Sequence, residues 1–146
     1  MIKKLQSASA ILFFLLFSCC FLNAQSKDER DIRLLMQDQE NAWNNGDLET
    51  FMQGYWKNDS LMFIGKSGIT YGWQKTLDNY KKGYPNRDSM GKLTFTLVQL
   101  KPLGKENYFI VGKWFLKRNT NDLGGYFTLW FRKMKGQWYI VADHSS

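Results

Sequence analysis

The chain has little of what covalently or metal-braced small proteins use. Two of its 146 residues are cysteine, Cys19 and Cys20, and one is histidine, His144. That excludes a cysteine/histidine zinc cluster, and it leaves no disulfide framework for the body of the chain. Two prolines and 12 glycines exclude collagen-like or proline-rich architecture, and no long stretch lacks apolar residues, which excludes a disordered polar chain. There is no Gly-x-Ser-x-Gly nucleophile elbow. Gly65-Lys66-Ser67 is no phosphate loop, because Ser60 stands where the first glycine of that motif is required. What is left is one globular domain that depends on its core.

The exception to this uniformity is the N-terminus. Lys3 and Lys4 precede the apolar run Ile11–Phe17, a charged start and a hydrophobic segment too short to span a bilayer comfortably. This is the layout of an export signal. Cleavage is expected after Ala24, giving a signal peptide over 1–24 and one domain over 25–146, secreted or periplasmic. The alternative is a lipoprotein signal ending at Cys19, which would anchor the domain to a membrane. Cleavage after Ala24 removes both cysteines and lowers the net charge from +7 to +5, while 20 of the 24 aromatic residues remain. The aromatic excess therefore belongs to the folded domain, and rings with polar N–H and O–H groups suit a core that borders a partly polar hollow.

Ser26-Lys27-Asp28-Glu29 reads as a capping box at a helix start, and Asn44-Asn45-Gly46 as its left-handed stop. Asp47 is expected to cap a second helix running to about Lys57. A short strand Leu61–Ile64 then turns through Gly65–Gly68 into Ile69–Tyr71. Trp73, Leu77, Tyr80 and Tyr84 repeat at helical spacing up to Pro85. Four strands follow, Lys92–Lys101, Asn107–Arg118, Gly125–Met134 and Gln137–His144, spaced closely enough for antiparallel pairing. Tyr108, Ile110 and Trp114 fall on one face of the second, and Phe109, Val111 and Phe115 on the other. Helices are expected over one sheet face and a second subunit over part of the other.

This α+β order resembles the nuclear transport factor 2-like superfamily, and within it the SnoaL-like branch called domain of unknown function 4440. The likeness is carried by Ala42-Trp43-Asn44-Asn45-Gly46-Asp47-Leu48, by Gly72-Trp73, and by Gly125–Arg132 with Trp138–Ser146. It implies a cone-shaped sheet that encloses a pocket with about three N-terminal helices, often in a homodimer. Its members include isomerases, dehydratases, hydrolases and noncatalytic binding modules, so activity has to come from the residues of the site.

His144 is the expected acid or base, because histidine titrates near neutral pH. On a regular strand it shares a face with Trp138, Ile140 and Ala142, and Asp143 faces the opposite way. Tyr55 is the candidate hydrogen-bond donor and Asp59 a weaker candidate base. Packing is the alternative role for the tyrosine and turn formation for the aspartate. Trp43, Trp56, Tyr71, Trp73, Trp114, Tyr126 and Trp130 are candidate ligand-binding residues, each with core packing as its alternative. In ketosteroid isomerases of this fold an aspartate base stands on the first strand, at the place that falls on Ile64 here, so the resemblance does not supply that base. A small, partly apolar ligand and a homodimer are expected, with no cofactor, no metal and no nucleic-acid partner. A noncatalytic dimeric interaction module with a filled interior is the other reading.

Overall fold

A computed structural model describes residues 26–146. The expected signal segment and Cys19 lie outside the described residues.

Helix α1 (Lys27–Asn44) starts where Ser26 accepts a 3.1 Å hydrogen bond from the Glu29 amide. It buries Ile32, Met36, Gln39, Ala42 and Trp43, a stripe at three- and four-residue spacing. It ends as expected through Asn45 and the left-handed Gly46 (φ 80°). Asp47 caps α2 (Leu48–Met52) through the Thr50 amide. The second helix stops at Met52, not near Lys57, because the chain there turns to pair with the last strand. The Ile140 amide donates to the Gly54 carbonyl, and the Trp56 amide to the Ile140 carbonyl, each at 2.9 Å. A Cβ on Gly54 would sit 2.8 Å from the buried Gln39 side chain, which would have to shift to admit it.

Strands β1 (Met62–Gly65) and β2 (Gly68–Tyr71) form the expected hairpin, and α3 (Trp73–Gly83) ends before Pro85. A one-turn helix α4 (Arg87–Met90), not expected from the sequence, is started by a capping box between Asn86 and Ser89. The long strands are β3 (Lys92–Pro102), β4 (Asn107–Lys117), β5 (Leu123–Met134) and β6 (Gln137–Ser145). They form one six-stranded sheet in the order β2-β1-β6-β5-β4-β3. Neighbours are antiparallel except β1 and β6, which run parallel.

Bulges interrupt two strands. On β3 the register slips between Leu97 and Gln99, and on β6 Val141 is the extra residue, since Trp130 pairs with Ala142 but Phe131 with Ile140. Such bulges increase strand twist and bend, which curves this sheet around the helices. The inner face carries Ile110, Phe127, Leu129, Phe131, Trp138 and Ile140, packed with Ile32, Met36, Phe51 and Met52 of the helices. On the outer face Phe109, Phe115, Tyr126 and Trp130 are exposed.

Candidate active site

Between the helices and the concave sheet lies a cavity of about 110 Å³. Its wall is mostly aromatic. One cluster of rings comes from the helices and β1. Trp43 packs edge-on to Phe51, Tyr80 and Tyr84 at centroid distances of 5.4, 6.0 and 4.8 Å, and Phe63 packs on Tyr80 at 5.7 Å. The facing wall is sheet, with Trp114 and the T-shaped pair Phe95–Phe127 at 5.4 Å. Gly112 makes room for the latter, since a Cβ there would overlap the Phe127 ring. Buried Gln39 also lines the cavity, with its amide donating to the Phe51 carbonyl at 3.0 Å.

The charged group in this wall is Asp143, which is 4% exposed. Tyr55 donates from its hydroxyl to Oδ2 at 2.7 Å, and Ser145 donates to Oδ1 at 2.8 Å. Burial pushes the carboxyl from 3.8 up to about 6, with these hydrogen bonds and the neighbouring His144 charge pulling the other way. Tyr55 and Tyr80 are both driven upward, chiefly by burial and then by the Asp143 charge, so both stay protonated donors. Tyr55 is in place because the chain leaves α2 to bridge to Ile140. A second polar feature is the Trp114 indole. Its Nε1 is the one buried side-chain nitrogen or oxygen without a hydrogen-bond partner among the described residues.

The expected faces of Asp143 and His144 are reversed. Side chains alternate along a strand, and the extra residue at Val141 shifts that alternation by one. Asp143 and Ser145 therefore join Trp138 and Ile140 on the inner side, and His144 is exposed on the outer one, in register with Ile64 of β1 and Thr128 of β5. Phe63, the residue before Ile64, lines the cavity and lies in register with Asp143. The cavity's carboxyl thus stands on β6, one strand over from the place where the resemblance set the isomerase base.

The other candidates separate by face. Trp43 and Trp114 line the cavity. Trp73 is core, its indole donating to the Met52 carbonyl at 2.8 Å. Trp56, Tyr71 and Trp130 do come together, but around an open outer groove of about 220 Å³ with Arg132. Tyr126 is exposed on the outer face, with the Lys113 ammonium 5.1 Å from its ring centroid. Asp59 is exposed in the turn where Asn58 accepts from the Ser60 amide. Asp143, Ser145 and Gln39 line the cavity without being among the candidates the sequence offers. A carboxylate directly after the apolar run Tyr139-Ile140-Val141-Ala142 is the available signal for the first of them. A wider groove of about 810 Å³ runs beside α1, but its wall is open and brings no such buried acid into play.

Against known proteins, no family model and no curated protein matches. Solved structures do. A nuclear transport factor 2-like protein of unknown function from Shewanella oneidensis is 45% identical, with a TM-score of 0.77 over 80% of this chain and 97% of that one. The chain belongs to the nuclear transport factor 2-like family. A ketosteroid isomerase-like protein from Erwinia carotovora shares the fold at 13% identity and a TM-score of 0.64, over 83% and 96% of the two chains. So does a putative calcium/calmodulin dependent protein kinase II association domain from Xanthomonas campestris, at 14% identity and 0.65, over 87% and 91%.

Proposed function

We propose that this is an exported small-molecule-binding domain whose ligand occupies the aromatic cavity. The observation that carries the reading is a buried carboxyl, Asp143, hydrogen-bonded by Tyr55 and set in an otherwise aromatic and aliphatic wall. Structural cores seldom keep an acid there, and perturbed acids cluster at functional sites. A cavity of about 110 Å³ is somewhat smaller than the roughly 150 Å³ that holds a benzene ring, so the enclosed part of the ligand has roughly four or five heavy atoms. That space also weighs against the filled-interior reading.

Proton transfer is the chemistry this site supports best. With its carboxyl near 6, Asp143 is a base at neutral pH and an acid just below it, while Tyr55 supplies a donor to whichever form is present. Isomerisation and dehydration are the reaction classes that such a pair serves. Native mass spectrometry of protein purified from its source tests the binding reading: a retained small molecule is expected in the wild type and lost in Asp143→Asn.

Export after Ala24 and pairing of two copies through the outer sheet face complete the proposal. Phe109, Phe115, Tyr126 and Trp130 lie exposed there, with Phe109 and Trp130 cross-strand neighbours, and exposed large apolar side chains grouped on one face support an interaction site. The mass of the mature N-terminus distinguishes cleavage after Ala24 from lipidation at Cys19.

A further inference from the structure

The cavity wall includes no lysine, arginine or histidine, and none of the ion pairs among the described residues involves Asp143. Its oxygens are met by neutral hydroxyls, those of Tyr55 and Ser145. Buried charges are ordinarily paired, and the one cation of the chain that acts on this acid, His144, lies on the outer side of the strand, so a counter-charge inside the cavity has to come from a ligand. Around it stand the rings of Trp43, Phe63, Tyr80, Tyr84 and Trp114. Aromatic faces carry negative potential, and several of them about a small cavity attract an organic cation strongly once water is excluded. Rings and carboxylate favour the same ligand charge.

We infer that the cavity takes a small organic cation, an ammonium group with short alkyl substituents, ringed by Trp43, Tyr80, Tyr84 and Trp114 with the Asp143 carboxylate as its counter-charge. This rests on reading the cavity as a ligand site and gives that ligand a chemical class. A trimethylammonium head has four heavy atoms, which suits the volume. The titratable groups acting on Asp143 are Tyr55, Tyr80 and, from the outer side of the same strand, His144. Arg118 acts on Tyr84, with its own donors taken by Asn121 and the Ser89 carbonyl.

The test compares choline with 3,3-dimethyl-1-butanol, its neutral isostere, by tryptophan fluorescence and calorimetry on the purified protein. Choline is expected to bind at least tenfold more tightly at pH 7.5. That preference should fall at pH 5, as Asp143 takes up a proton, and vanish in Asp143→Asn, whose folding is checked by thermal unfolding. The pH series needs no variant and stands if Asp143→Asn does not fold. Equal or tighter binding of the alcohol overturns the cation while leaving the cavity as a ligand site. Binding of neither compound up to millimolar concentration, by folded protein, overturns the cation inference. A retained neutral molecule in the native mass spectrum would then keep the binding reading alive, and an empty spectrum would remove it too.

Discussion

The hydroxyl of Tyr55 donates a 2.7 Å hydrogen bond to Oδ2 of Asp143, across 88 residues of sequence. Both groups are buried, and the contact joins the segment after α2 to the last strand at the cavity wall. A buried acid held this way has consequences for stability as well as for binding.

Asp143 should make the protein less stable at neutral pH than in mild acid. Its folded pKa, about 6, lies above the unfolded 3.8, so the folded state holds the proton more tightly. Stability from this group is full below about pH 4, falls as pH rises to about 6, and is level above that. The shift corresponds to about 3 kcal/mol. Urea unfolding of wild type and Asp143→Asn from pH 4 to 8 checks it: the variant's relative stability should rise across that window by up to this amount. A pH-independent difference would contradict the burial argument.

Tyr55→Phe removes a donor to a carboxylate. A loss of about 1.5–3 kcal/mol is expected at pH 7, the range for hydrogen bonds to charged groups. The Asp143 carboxyl should move further upward, read as the titration of its 13C side-chain resonance. A downward move would mean that Tyr55 does not stabilise the ionised form.

Much of the fold, and less of the site, was legible in the sequence. Ser26, Asp47, the Asn44–Gly46 stop and Pro85 act through local backbone chemistry, so the helix starts and stops they signal appear where expected. The end of α2 does not, because pairing of residues 54–56 with Ile140 is a long-range event. The parallel joining of β1 to β6 is hidden for the same reason. The bulge at Val141 had the largest effect. Ile140, Val141 and Ala142 are ordinary strand residues, and the register with β5 decides which of them is extra. That single slip exchanged Asp143 for His144 at the cavity. Aromatic type carries no information about face, which is why Trp56, Tyr71 and Trp130 meet on the outside while Trp43 and Trp114 meet within.

Gly112→Ala should narrow the cavity. The new Cβ overlaps the Phe127 ring of the cavity wall, which has to shift, at about 1–3 kcal/mol for overpacking. Thermal unfolding reads the loss of stability, and weaker binding of any cavity ligand reads the narrowing.

Trp130→Glu places a charge on the outer sheet face, where Trp130 is 48% exposed. If two copies pair through this face, sedimentation should show the wild type as a dimer and the variant as a monomer, with the unfolding temperature of each subunit little changed. An unaltered dimer would move the interface elsewhere.

The inner cavity, not the outer groove, is the ligand site in this account, and amide shift mapping with a bound small molecule decides between them. Saturation with a confirmed ligand should move the resonances of Tyr55, Tyr80, Trp114 and Asp143 and leave those of Trp56, Tyr71 and Trp130 in place. Shifts confined to the latter three would put the site on the outer face and contradict the assignment of Asp143.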